Sequence, residues 1–248
     1  MATATRDKIV GSWMGDLYLP AYRVSDAAKY VGVHPNTVSA WHYRGDPVLP
    51  GRTRGRPLSY LELIEVAFVA FFRRLDIDMS FIRNARESRI SDKHDEPHRD
   101  GMSPNGWNHS VRNVEGKYPF ASMSFRKDAI RILERERKSN SSLKDVTQFT
   151  NPGPWDRVDR GHAKENCQFA DFDYAHGIII RWHPVGRDSQ VMIDPRIAFG
   201  DPAVSGLSTW VILGRYSAGE TIPEIMDDFE ISETAVRDAL AFEGIRVA

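Results

Sequence analysis

The stretch VSDAAKYVGVHPNTVSAWHY, residues 24–43, has the pattern of two short helices joined by a tight turn. Ala28 is small enough to lie where two helices cross, and Gly32 can take the positive φ that the turn requires. Pro35 suits the first turn of the second helix, where a missing N–H costs nothing. Apolar residues at helical spacing would hold the pair together: Val31, Val33, Val38 and Trp41. The stretch therefore predicts a helix-turn-helix.

The polar residues of the second helix would then face outward. They are Asn36, Thr37, Ser39, His42 and, at the helix end, Arg44. Such side chains hydrogen-bond base edges and phosphates in a major groove, so they are predicted DNA contacts. An ordinary helical hairpin is the alternative interpretation. His34 departs from the pattern, because Ser, Thr, Asp or Asn usually caps a helix at that position.

A basic loop rich in Gly and Pro follows, with the sequence GDPVLPGRTRGRPLSY over residues 45–60. Arg52, Arg54 and Arg56 alternate along it and are predicted to contact the DNA backbone or to enter the minor groove. A solvated loop without a DNA role is the alternative. Helices are predicted next at 59–76 and 80–88. This order of elements resembles the MerR-type winged helix over roughly residues 20–89, without that family's long dimerisation coiled coil or the effector cysteines of its metal-sensing members.

Length and composition set the broad class. The chain has 248 residues, 41% hydrophobic and 27% charged, which is ordinary for two or three globular domains. The predicted division is 1–90, 91–190 and 191–248. A single cysteine, Cys167, allows neither an intramolecular disulfide nor a cysteine-based zinc site, and fits a cytoplasmic protein. We expect no membrane span, because no apolar run approaches about 18 residues. We expect no secretion signal, because the N-terminus lacks an apolar segment.

The charge is unevenly distributed. Residues 1–90 carry 13 Lys and Arg against 9 Asp and Glu, whereas residues 191–248 carry 4 against 10. The positive excess thus lies with the helix-turn-helix, where phosphate contacts need it. The C-terminal segment is acidic and would be repelled by bare DNA.

Residues 89–117 are dominated by Pro, Gly, Asn and charged residues, which predicts a linker or long loop. His94, His98 and His109 lie there. A metal site is not favoured, because Pro97 separates these histidines from any helix. Solvated histidines are the preferred interpretation, so the sequence predicts neither a metal nor a cofactor.

The middle region predicts mixed structure. Residues 125–137 have the pattern of an amphipathic helix, and residues 169–184 that of a β-hairpin turning at His176-Gly177. Ile178, Ile180 and Trp182 would alternate on the return strand. A third extended run at 190–193 would complete a small antiparallel sheet.

The C-terminal segment predicts three helices. The first spans 209–217, Thr221 caps the second with Glu224 in capping-box position, and Ser232 caps the third. The unit is like a helix-turn-helix, but Met226 and Glu230 replace its usual small residue and turn glycine. The outer helix carries Glu233, Asp238 and Glu243 against Arg237 alone. Dimerisation or protein contact is therefore favoured over DNA contact.

This segment resembles the family called domain of unknown function 433 over residues 191–243. The matching residues are Ile193, Pro195, Gly200, Pro202, Gly206, the spacing from Gly214 to Gly219, Glu220, Ile225 and Ala235. Members of that family are often antitoxins encoded beside PIN-type ribonuclease toxins. Where the family commonly has Gly-Thr-Arg, this chain has Gly206-Leu207-Ser208 and lacks the arginine.

Taken together, the fold class is α+β, mainly α, with an N-terminal winged helix-turn-helix, a small middle antiparallel β element and a C-terminal trihelical unit. This combination resembles the longer VapBC-type antitoxins over nearly the whole chain. The resemblance implies a bacterial, cytoplasmic repressor of its own operon that neutralises a PIN-type ribonuclease. It also implies basic side chains near the toxin's metal cluster, for which the candidates are Arg157, Arg160, Arg181 and Arg187. A homodimer is expected, because a two-fold operator needs two helix-turn-helix units.

Two other functions are alternatives to this one. A stand-alone MerR-like transcription regulator with a protein or ligand sensor at residues 118–190 is the main alternative. A phage-type excision or recombination accessory factor is a further one. An enzyme is not expected, because no G-x-S-x-G, H-E-x-x-H, Walker loop or cysteine pair is present, so no catalytic residue is predicted.

Overall fold

A computed structural model describes residues 13–74, 76–91, 117–122, 170–173 and 178–247. This part of the chain is mainly helical with a small antiparallel β element, as the sequence predicts. It divides into two compact units. The N-terminal unit contains the described residues between 17 and 122 together with 172–173 and 178–179. The C-terminal unit contains residues 13–16, 170–171 and 180–247.

Four helices form most of the N-terminal unit: α1 (Val24–Tyr30), α2 (Pro35–Tyr43), α3 (Tyr60–Arg74) and α4 (Met79–Ser91). Helix α3 is its central element. Apolar residues occur on every face of its sequence YLELIEVAFVAFFRR, and a helix of that kind must be buried all round. Ser59 and Glu62 fix its start, because each side chain accepts a hydrogen bond from the other residue's backbone N–H, at 3.3 and 2.7 Å.

Helices α1 and α2 are joined by the turn that the sequence predicts. Ala28 is fully buried, and Gly32 has a φ of +69°. The Val33 N–H donates to the Ala28 carbonyl at 2.9 Å and closes the turn. Val38 and Trp41 of α2 are buried as expected, so the two helices share one apolar contact face.

A distant segment completes the N-terminal unit. Residues Pro119–Ala121 form a short 3-10 helix. The Phe120 ring is buried against Phe68 and Phe72 of α3, with ring centroids 6.0 and 6.1 Å apart. A buried ion pair joins α3 to α4 beside this segment: Glu65 of α3 accepts from Arg86 Nε of α4 at 3.0 Å and from the Phe120 N–H at 2.7 Å.

The β element is small. Strands β1 (Ala170–Asp173) and β2 (Ile178–Trp182) pair in a two-stranded sheet. The predicted third extended run lies beside β2 through an antiparallel bridge between Trp182 and Ile193. Strict alternation along β2 is wrong, because Ile179 is buried and Ile180 is only half-buried. Alternation requires one solvated face, and at the start of β2 both Ile178 and Ile179 are covered.

Three helices form the C-terminal unit after a short antiparallel pair, β3 (Ala203–Val204) and β4 (Leu207–Ser208). They are α5 (Thr209–Ser217), α6 (Ile222–Phe229) and α7 (Glu233–Phe242). Both predicted caps are confirmed, the Thr221–Glu224 capping box and the Ser232 cap. Fully buried side chains fill the core: Val191, Val204, Ile212, Ile225, Ala235, Val236, Ala239 and Leu240. Glu230 takes the turn with a φ of +52°, where glycine would be less strained.

Several sequence predictions fall outside the described residues. They are the helix at 125–137, the turn at His176-Gly177, the three histidines of the predicted linker, Arg157 and Arg160. Among the helices that the structure describes, none has the length and apolar character to cross a membrane. Within the same residues, His, Cys, Asp and Glu side chains do not gather in a group of three that could hold a metal ion.

Candidate nucleic-acid interface

The start of α2 is capped by an unusual residue. The His34 ring accepts the Asn36 backbone N–H at Nδ1, at 3.2 Å. The ring nitrogen therefore replaces the side-chain oxygen that Ser, Thr, Asp or Asn would supply. This capping explains why the departure at His34 does not prevent the helix from starting at Pro35.

The outer face of α2 presents most of the polar residues proposed from the sequence. Asn36, Thr37 and Arg44 are exposed, and Ser39 is half-buried. On the loop after α2, Arg54 and Arg56 are exposed and Arg52 is half-buried. Five of these seven polar side chains are exposed, so a ligand on this face could reach them without unfolding the helix.

An open depression of about 540 Å³ lies between α2 and the loop. Asn36, Ser39 and Arg44 line it from the helix, and Arg52 and Arg54 line it from the loop. The structure thus brings five of the predicted contact residues together. The other three, which are Thr37, His42 and Arg56, are not part of its lining.

Tyr43 is a member of this site that the sequence interpretation missed. Its hydroxyl donates to the Arg52 carbonyl at 2.9 Å, and the Arg54 guanidinium lies 5.4 Å from its ring centroid. Tyr43 therefore holds the basic loop to the helix by a hydrogen bond and a cation–π contact. Helical spacing could have identified it, because Tyr43 is four residues after Ser39 and seven after Asn36.

The Arg52 side chain has unused hydrogen-bonding capacity. Its Nε and Nη2 atoms are shielded from solvent and meet no acceptor among the described residues. A shielded donor without an acceptor is energetically costly. An incoming anion with several oxygens, such as a phosphate, would supply the missing acceptors through charge-assisted hydrogen bonds.

His42 does not face outward, so its placement on the contact surface was wrong. It is only 4% exposed, and its Nδ1 lies 2.8 Å from the Pro50 carbonyl oxygen. The physical reason is helical spacing, since His42 follows the buried Val38 by four residues. Burial lowers the pKa of His42, and the nearby Arg52 acts in the same direction. The neutral ring donates from Nδ1 to the Pro50 carbonyl and so holds the start of the loop against α2.

Stability of the N-terminal unit should therefore depend on pH through His42. Because folding lowers its pKa below the usual 6.5, its contribution is complete above that pH and declines as the pH falls through the folded pKa. Each unit of lowering corresponds to about 1.4 kcal/mol. His42→Gln keeps a donor for Pro50 but cannot titrate. In urea denaturation at about pH 8 and about pH 5, the wild type should lose more free energy of unfolding on acidification than this variant. Equal losses would show that His42 is not the titrating group.

Arg181 and Arg187, candidates for toxin contact, lie in an ion-pair network of the C-terminal unit. Arg181 reaches Asp171 and Asp194, each at 3.3 Å, and Arg187 also pairs with Asp171. Burial acts to raise the pKa of Asp171, but the hydrogen bonds from His183 and Arg187 outweigh it and hold that pKa below its usual range. Both arginines are therefore already paired with carboxylates of this chain.

The chain is similar to known proteins both in its C-terminal segment and over most of its length. The family model described as "Protein of unknown function (DUF433)" matches residues 191–242, in agreement with the resemblance drawn from the sequence. The chain is 26% identical over 247 residues to a Mycobacterium tuberculosis protein named "Putative antitoxin VapB45", covering 90% of this chain and 93% of that one. The fold resembles the X-ray crystal structure of Rv2018 from Mycobacterium tuberculosis, with a TM-score of 0.58, 21% identity, and coverage of 90% of this chain and 98% of that one. The similarity in sequence and fold therefore extends well beyond the C-terminal segment that the family model matches.

Proposed function

We propose that this chain is the antitoxin of a bacterial toxin–antitoxin pair. It acts in the cytoplasm, where it binds operator DNA as a homodimer, represses its own operon and neutralises a cognate PIN-type ribonuclease. The proposal is supported by the relative that bears an antitoxin name and matches 90% of this chain. The family match at residues 191–242 adds to that support.

The DNA-binding part of the proposal is a winged helix-turn-helix within residues 1–90. Helix α2 enters the major groove, where Asn36, Thr37 and Ser39 contact base edges. Arg44 and the arginine loop contact phosphates on either side. The observation that carries this step is the open depression, because it joins the polar face of α2 to Arg52 and Arg54 in one concave surface.

The remaining parts of the chain serve protein contact in this proposal. Residues 191–248 have the wrong charge for DNA, with 4 Lys and Arg against 10 Asp and Glu. They contact protein. Toxin contact through Arg157, Arg160, Arg181 or Arg187 belongs to the same proposal.

Two measurements test the proposal. The chain is co-produced with the product of the neighbouring gene, and the pair is purified through a tag on one protein; a stable complex that lacks ribonuclease activity is expected. The purified chain should also retard a duplex containing its own promoter more strongly than a random duplex. Promoter binding without any complex would favour the alternative, a stand-alone MerR-like regulator. If the chain forms no complex and does not bind its promoter, both the antitoxin function and the alternative are contradicted.

Asn36→Ala should reduce sequence discrimination specifically. A side-chain contact to a base edge contributes about 1–3 kcal/mol of discrimination, so operator affinity should fall about 5- to 150-fold while random-duplex affinity changes little. The fold should persist, because Asn36 is exposed and its backbone N–H, which serves the His34 cap, is retained. Gel-shift titrations on both duplexes measure the ratio. Equal weakening on both would show that Asn36 does not contact a base.

A further inference from the structure

Two large aromatic side chains are exposed on the C-terminal unit. Phe199 is 99% exposed and Trp210 is 59% exposed. Asp201 lies between them: its N–H donates to the Ala198 carbonyl at 3.0 Å, and its carboxylate accepts from Trp210 Nε1 at 3.0 Å. Phe199, Asp201 and Trp210 are called the aromatic edge below. Grouped exposed aromatics, unlike single apolar residues scattered on a surface, are typical of interaction sites.

The backbone under Phe199 is strained. Ala198 and Phe199 have φ values of +48° and +56°, a left-handed conformation that bulky side chains rarely adopt. The turn is nevertheless fixed, because the Gly200 N–H donates to the Ile197 carbonyl at 2.9 Å. This strain places the Phe199 ring in water, where it contributes almost no burial to the unit. A function outside the fold accounts for such a conformation better than stability does.

The C-terminal segment that carries the aromatic edge is acidic. Carboxylates exceed cations in residues 191–248 by 10 to 4, and three of those cations are already paired within the unit: Arg196 with Asp194, Arg215 with Glu220 and Asp228, and Arg237 with Glu233. One carboxylate lies at the edge itself, Asp201, which accepts from Trp210 Nε1.

These features define the partner chemistry. We propose that the aromatic edge is a docking site for a protein that presents an apolar pocket bordered by Lys and Arg side chains. The pocket takes Phe199 and Trp210, and the basic border faces the surrounding carboxylates. A second copy of this chain is disfavoured as the occupant, because two acidic edges would face each other. The partner protein is the cognate ribonuclease, and in that identification the inference rests on the proposed function.

The test uses the full chain with single substitutions and the co-produced ribonuclease. Phe199→Asn removes the ring with a residue that tolerates the left-handed backbone, and Trp210→Ala removes the indole. Val185→Ser is the matched control, since Val185 is 58% exposed in the same unit but lies outside the aromatic edge. Affinity for the ribonuclease is measured by calorimetric titration at two salt concentrations, and self-association by sedimentation.

We expect Phe199→Asn and Trp210→Ala each to weaken ribonuclease binding by at least about tenfold, the range of an aromatic hot spot. Val185→Ser should bind as the wild type does. Phe199→Asn should melt no lower than the wild type, which separates loss of docking from loss of fold. Higher salt should weaken the wild-type complex, because opposite charges attract across the interface.

The contrary outcomes separate the two ideas. No complex with the unaltered chain would overturn the proposed function and this partner together. A complex of wild-type affinity with both aromatic variants would overturn the aromatic edge alone. Unchanged ribonuclease affinity with reduced self-association in Phe199→Asn would identify a second copy as the occupant and would also overturn the inference.

Discussion

Arg86→Met should destabilise the N-terminal unit by about 3–5 kcal/mol, the usual cost of removing one partner from a buried ion pair. Glu65 is 1% exposed and Arg86 is 7% exposed, so the remaining carboxylate would have no water to replace the guanidinium. The substitution also removes a contact with the distant segment at 117–122, because Arg86 Nη2 donates to the Lys117 carbonyl at 2.9 Å. Urea denaturation of the full chain measures the change.

The cost of Arg86→Met should rise with pH. Burial already raises the pKa of Glu65 to about 7, against the opposing effect of Arg86. Without Arg86 that pKa rises further, since only the desolvation and backbone contacts remain. A carboxyl whose folded pKa is raised contributes stability below its unfolded pKa and loses it as the pH rises through the folded value. The variant should therefore be closest to the wild type near pH 5 and furthest from it near pH 8.

Arg83→Met is the matched control on the same helix. Arg83 pairs with Asp46 at 2.9 Å, but the Asp46 side chain is 75% exposed. Such surface pairs contribute less than about 1 kcal/mol. The double variant Glu65→Leu with Arg86→Met should recover part of the lost stability, because no buried charge is left unpaired. A loss in Arg86→Met no larger than in Arg83→Met would show that the buried pair does not hold the unit together.

Local sequence rules predicted the helical framework. The turn at Gly32, the capping box at Thr221 and the cap at Ser232 each depend on residues within four positions, and each is confirmed. Hairpin strands were likewise recognisable from their composition. These elements could be predicted because capping and turn chemistry act over a few residues whatever the tertiary context.

The errors arise where distant residues decide the environment. His42 looked like an outward polar residue, but its environment is set by the Pro50 carbonyl, eight residues away on a loop. The docking of Phe120 on α3 joins residues 55 positions apart through Glu65, which periodicity does not reveal. One signal was present, since a carboxylate within the apolar run LIEVAFVAFF is costly to bury unless a cation or donors meet it.

A triple variant should lower the affinity for every duplex by at least about a hundredfold at low salt, when Ala replaces Arg52, Arg54 and Arg56 together. Each hydrogen bond to a charged group contributes about 1.5–3 kcal/mol, and these side chains are the cations of the loop. The plot of log K against log salt should also flatten by about 0.9 for each lost phosphate contact. Titrations at several salt concentrations, with operator and random duplexes, measure both effects.

Single variants resolve which part of the loop matters. Arg52 and Arg54 line the depression, so either change should weaken binding more than Arg56→Ala. Tyr43→Phe keeps the ring under Arg54 but removes the hydroxyl that holds the Arg52 carbonyl, so it should weaken binding on both duplexes without removing a charge. Its salt slope should change less than that of the triple variant. If the triple variant retains the wild-type slope, the loop does not contact phosphates, and the DNA interface must be limited to α2.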